Sequence, residues 1–181
     1  VFDNYSAGKQ ATEHLLHHGH NRIACLAGPR HLLGAMQRVE GYQEALRQAG
    51  ITPDEALVKW SDYTFDGGLR ACSELLNKKG HPTAIVACND EMGVSAIHAA
   101  QKAGLEVPTG LAIVGMGNSF VGQVAIPQLT TIFASVDEMG KLGTEILLEK
   151  INGTASLSTS RQVLETRLVV RESCGCTPRK G

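Results

Sequence analysis

The chain has 181 residues, 43% of them hydrophobic and 19% charged, with a formal net charge of −1. That size and balance fit one soluble globular domain with a substantial core and exclude a disordered chain. The near-neutral charge offers no general attraction to nucleic acid or an anionic membrane, and no apolar run reaches the ~18 residues of a spanning helix.

The chain opens on Val1-Phe2-Asp3 without an initiator Met or a signal peptide, so it reads as a piece of a longer polypeptide. A helical stripe, Ala7/Ala11/Leu15, starts near a Ser6 cap and stops at Gly19. An apolar strand over Ile23–Ala27 follows, then a loop over 28–34, then a helix that Arg38 opens, striped by Val39/Tyr42/Leu46/Ala49 and stopped by Gly50. A second strand over 57–60 leads to Tyr63 and Phe65, a cap at Thr64 or Asp66, and the stripe Leu69/Cys72/Leu76 ending at Gly80. A third strand over 84–88 leads to Asn89-Asp90, with Asn89 as cap, and to Ala96/Ala99/Ala103 before Gly104. A fourth over 111–114 ends in Gly115-Met116-Gly117-Asn118. Glycine suits the helix ends because it enters the left-handed region without a Cβ penalty.

The rhythm then changes. Residues 115–130 read as a long irregular connection, followed by a short strand at 132–133 and a helix over Val136–Ile151 capped by Asp137. That helix carries Met139, Leu142, Ile146 and Ile151 along one side, a stripe that needs a covering layer. A polar loop follows over 152–160, with Gly153 closing the helix, then a last strand over 163–170 and a frayed tail beyond about Ser173. Short, continuous apolar strands alternating with striped helices predict an α/β fold with a doubly wound parallel sheet.

Five cysteines at scattered positions (Cys25, Cys72, Cys88, Cys174, Cys176) fit reduced cytosolic thiols better than a disulfide framework. Cys174-Gly-Cys176 lacks a second ligand pair at finger-like spacing. His14 and His18 share a helix face within the run His14, His17, His18, His20, but no Glu or Cys joins them in sequence. A solvated helix end is the reading, and no metal or cofactor is expected.

Gly115-Met116-Gly117 follows a strand, but a dinucleotide fingerprint needs a third glycine where Phe120 stands. No phosphate-cradling Gly-Lys-Ser/Thr loop and no Gly-x-Ser-x-Gly elbow is present, and the carboxylates form no evident pair. The chain does not read as an enzyme. What remains is a set of polar and aromatic residues just past successive strands: Arg38, Tyr63 and Phe65, Asn89 and Asp90, and Gly117 with Asn118. In a doubly wound sheet these carboxyl ends form the ligand-binding rim. A guanidinium fork, an aromatic plate and two amides suit a sugar, whose hydroxyls take bidentate partners and whose C–H face stacks on a ring.

The segments ‘AGKQATEHLLHHGHNRIACLAGP’, ‘RVEGYQEALRQAGI’, ‘ACNDEMGVSAIHAAQKAGLEVP’, ‘LAIVGMGN’, ‘IPQLTTI’ and ‘LVVRES’ together resemble the effector-binding core of the LacI/GalR family of bacterial transcription regulators. The resemblance implies a two-lobed, periplasmic-binding-protein-like (type I) fold, with residues 1–133 as the C-terminal lobe, 134–161 as a segment returning to the N-terminal lobe, 162–173 as the hinge and last strand, and 174–181 as a tail. It implies a cytoplasmic homodimer that binds a sugar, sugar phosphate or sugar acid and engages operator DNA through a helix-turn-helix headpiece absent from this chain, with no membrane partner. Arg38, Tyr63 and Asn89 fall on the family's ligand-binding Arg, stacking aromatic and Asn. Where most members carry Asp-Asp, this chain has Gly117-Asn118, which removes a carboxylate and leaves room for an anionic ligand. A transporter-feeding periplasmic sugar-binding protein of the same fold is the alternative, and the unpaired cysteines argue against that oxidising compartment.

Overall fold

The computed structural model describes residues 1–152 and 162–176. The expected stop at Gly153, most of the 152–160 loop and the end of the tail lie outside the described residues. In chain order the elements are α1 (Asn4–His17), β1 (Ile23–Ala27), α2 (Leu33–Gln48), β2 (Val58–Trp60), α3 (Phe65–Leu76), β3 (Ala84–Ala87), α4 (Asp90–Lys102), β4 (Ala112–Met116), α5 (Phe120–Val124), β5 (Thr130–Phe133), α6 (Val136–Ile151) and β6 (Arg167–Val169). The strands form a six-stranded sheet in the order β2-β1-β3-β4-β5-β6, parallel except for the antiparallel β5–β6 pair. Helices α1 and α2 pack on each other, as do α3 and α4, which sandwiches the sheet as the β-α alternation predicts.

Strands β1, β3 and β4 are buried along their whole length, which their uninterrupted apolar sequences require once helices cover both faces. The sequence reading erred at the ends of elements. Leu57 closes a 3-10 turn (Glu55–Leu57), so β2 begins at Val58. The cap of α1 is Asp3, whose carboxylate accepts from the Ser6 amide at 2.9 Å, and α6 is capped by Ser135 in place of Asp137. Arg38 lies inside α2 instead of opening it, and the stretch read as irregular contains α5.

Helices α1 and α2 touch backbone to backbone. A Cβ added at Gly8 would sit 2.0 Å from the Arg38 carbonyl oxygen, and one at Gly41 would sit 2.0 Å from that of Tyr5. Helix α6 is different: none of its residues is buried, and Val136, Leu147 and Ile151 are 63%, 58% and 70% exposed. It does not fold back over its own sheet.

Residues 173–176 are pinned where fraying was expected beyond about Ser173. Ser173 and Cys174 are buried; the Ser173 hydroxyl donates to the Ile113 carbonyl at 2.6 Å and accepts from the Thr130 amide at 2.9 Å. This hook brings Cys176 onto the end of α1, its Sγ 3.2 Å from His14 Nε2 and 2.8 Å from His18 Nε2. A cysteine therefore does join the histidine pair. Burial, with His18 and His17 nearby, pushes the His14 imidazole down to about 4, so the ring is uncharged at neutral pH.

One buried carboxylate ties the layers together. Asp90, at the start of α4, is 2% exposed; its Oδ2 accepts from the Ser119 amide and its Oδ1 from the Thr131 hydroxyl, each at 2.6 Å. Two strong donors and the helix N-terminus offset its desolvation. Asp90→Ala strands both donors, and urea denaturation is expected to show a loss of about 2–3 kcal/mol. A loss under about 0.5 kcal/mol, the range of an ordinary surface change, would contradict this role.

Candidate functional site

The carboxyl ends of β1, β2, β3 and β4 and the turns behind them form one rim, as a parallel sheet dictates. Arg38 is its hub. Its Nε donates to Asn4 Oδ1 at 2.8 Å, its Nη1 donates to the Cys88 carbonyl just past β3, and its guanidinium lies 6.0 Å from the Tyr63 ring centroid. One side chain thus links α2, the start of α1, the turn after β3 and the turn after β2. The carbonyl and the ring both favour a cation at this point.

Tyr63 is placed by its backbone and by a missing side chain. Its φ is 66°, in the left-handed region, and a Cβ on Gly28 would meet its ring carbon Cζ at 2.0 Å. The ring therefore lies flat against the glycine that follows β1. Burial raises its phenol pKa, partly countered by Arg38.

Asn89 serves two elements. Its Oδ1 accepts from the Met92 amide at 3.0 Å, capping α4, and its Nδ2 donates to the Tyr63 carbonyl at 2.8 Å. The capping role expected from sequence is real, and the same amide also fixes the aromatic turn. Arg38, Tyr63 and Asn89 form one connected group.

Asn118 is turned away from that group, whereas Gly117 borders it. Gly117 is exposed, with φ 133°, and shares a recess of about 70 Å³ with Arg38, Asn4, Phe2 and Ile132. Such a volume is well below the 300–1,000 Å³ usual for a small-molecule site. Asn118, with φ 55°, directs its Oδ1 to the Arg171 guanidinium, whose Nη1 also donates to the Leu129 carbonyl at 2.6 Å. Phe65 leaves the rim and packs against His98, with ring centroids 6.0 Å apart.

Sequence reasoning missed two supporting residues. Asn4 orients Arg38 across 34 positions, and Arg171 holds Asn118 across 53; neither separation leaves a local signal. Asp90, expected on the rim beside Asn89, turns inward to the Ser119 amide and the Thr131 hydroxyl. At the far edge Arg30 lies over Trp60, 4.7 Å from the ring centroid, and the buried Trp60 Nε1 has no hydrogen-bond partner among the described residues.

Known proteins bear on this rim. The family model described as a periplasmic binding protein-like domain matches residues 12–174. The transcriptional regulator CelR of Thermobifida fusca is 39% identical over 94% of this chain and 50% of its own length. The repressor CytR of Escherichia coli K12 is 35% identical over 97% of this chain and 51% of its own. The solved complex of CelR with cellobiose superposes with a TM-score of 0.91 over 95% of this chain and 52% of that one, at 39% identity. A dimeric Lac repressor structure does so with a TM-score of 0.90 over 96% and 63%, at 29% identity. The chain spans about half the length of the curated relatives it matches. It belongs to the periplasmic binding protein-like domain family, and the relatives described above are LacI-type transcription regulators, as the sequence resemblance implies.

Proposed function

We propose that this chain is the larger part of the effector-binding core of a LacI-type regulator, with a sugar or sugar derivative held against the rim. The observation that carries the reading is the connected Arg38–Tyr63–Asn89 group at the carboxyl ends of the strands. The cellobiose bound by its relative CelR supports a sugar as ligand class. The relatives named above are regulators, which favours this reading over a transporter component. Residues 1–133 form the C-terminal lobe in this reading, and α6 returns to a second lobe that closes the cleft. Ligand shifts the balance of open and closed lobes and so changes how a homodimer presents its headpieces to operator DNA.

Arg38 contributes the largest single share of affinity from this lobe. A charge-assisted contact in a closed cleft is worth about 1.5–3 kcal/mol, so calorimetry on the regulator carrying Arg38→Ala is expected to show about a 10- to 100-fold weaker effector. Unchanged affinity in a folded variant would remove Arg38 from the site.

Gly117-Asn118 sets the ligand class. Restoring Asp at position 117 is compromised by its φ of 133°, which side chains rarely adopt, whereas position 118 at φ 55° accepts Asp or Asn. Asn118→Asp is expected to weaken a sugar acid or sugar phosphate relative to the neutral sugar, through like-charge repulsion. An unchanged ratio of the two affinities would show that this turn has no bearing on specificity.

The uncovered face of α6 makes a third test. Sedimentation of the 181-residue chain is expected to show concentration-dependent association and weak effector binding, because an apolar stripe and one cleft wall lack their covers. A clean monomer that binds effector tightly, with α6 amides protected from exchange, would contradict the lobe assignment.

A further inference from the structure

We propose that His14, His18 and Cys176 form a site for a zinc-class divalent cation at the end of the sheet opposite the effector rim. A ring nitrogen of His14, one of His18 and Cys176 Sγ all lie within 4.8 Å of one another, and the sulfur is 3.2 and 2.8 Å from the two Nε2 atoms. Bond lengths of about 2.3 Å to sulfur and 2.0–2.1 Å to nitrogen place tetrahedral ligand atoms roughly 3.3–3.6 Å apart, so the spacing needs only small side-chain adjustments.

Three features separate this arrangement from a chance contact. The histidines are four residues apart at the end of α1, which puts both rings on one face, with centroids 4.8 Å apart. The cysteine arrives from the other end of the chain on a fixed support: Ser173 is bonded to β4 and β5, the Thr130 hydroxyl lies 3.1 Å from Cys174 Sγ, and Gly175 turns the backbone at φ 83°. Cys176 is also the one cysteine of the five that is not buried, so it alone is open to a solvent ion.

The donor set, two imidazoles and a thiolate, suits a borderline-soft cation better than calcium or magnesium, which take oxygen ligands. His18 is exposed, so the fourth position faces solvent and takes water. On binding, a metal–sulfur bond replaces the S–H bond of Cys176 and the proton leaves to solvent. The ion would clip the last strand's extension to the first helix, well away from the rim, and so stabilise the lobe without touching effector.

The test titrates the reduced, chelator-stripped chain with Co²⁺ as a spectroscopic stand-in for Zn²⁺. The expected result is a thiolate-to-cobalt charge-transfer absorption that saturates at one equivalent and is erased by Zn²⁺, with Zn²⁺ also raising the thermal midpoint. Cys176→Ser should lose the absorption, and His14→Gln and His18→Gln should each weaken cobalt binding by more than about tenfold. His18 is exposed and Cys176 only half-buried, so these variants keep the fold, which circular dichroism checks. Absence of the charge-transfer band at stoichiometric cobalt would overturn the proposal. So would an undiminished band in folded Cys176→Ser, or undiminished affinity in folded His18→Gln.

Discussion

Helices α1 and α2 can touch backbone to backbone only because residues 8 and 41 lack side chains, and the position of Arg38 follows from that contact. A Cβ at Gly8 would overlap the carbonyl of Arg38 itself. With the helices this close, Asn4 reaches the Arg38 Nε, and the guanidinium is carried over the end of β3 to the Cys88 carbonyl and the Tyr63 ring. Separation of the helices by even one methyl group would move the fork off its partners, because packed interiors pass such displacements on.

The two ends of the sheet carry different kinds of order. At the carboxyl ends, buried Asp90 and the left-handed residues Tyr63 and Asn118 hold turns in conformations that most residues avoid, and each is held by specific hydrogen bonds. Such turns put polar groups at defined points above a rigid sheet, which a small polyhydroxylated ligand needs. At the amino ends, the segment 173–176 is drawn back against β4, β5 and α1, with Ser173 and Cys174 buried. The polar rim and the Ser173–Cys176 hook thus occupy opposite ends of one sheet.

Much of this was legible in the sequence, and the failures share a cause. The run Ile23–Ala27 reads as a strand because five apolar residues sit between polar turns, and its boundaries in the structure are the same. Tyr63 and Asn89 were legible as candidates because each closely follows a strand, a local property, whereas Arg38, inside α2, was carried by the family resemblance. Asn4, Arg171 and the Cys176 partnership with His14 and His18 were not legible, because their contacts join residues 34 to 162 positions apart. Cap errors arose where two suitable side chains lie close together. Asp3 takes the amide that Ser6 offers, and the Ser6 hydroxyl then donates to the same carboxylate at 2.7 Å. The five-residue α5 is too short for its periodicity to stand out.

The claim that the Arg38-centred rim is the effector site is tested most directly by the crystal structure of the effector-bound core. The account expects an Arg38 guanidinium nitrogen within hydrogen-bonding distance, about 2.7–3.2 Å, of a ligand oxygen, with the Tyr63 ring against the ligand's apolar face and Gly117 lining the same cleft. A ligand seated elsewhere, such as the groove of Lys59, Trp60 and Glu74 at the β2 edge, with Arg38 still bonded only to Asn4 and Cys88, would contradict it.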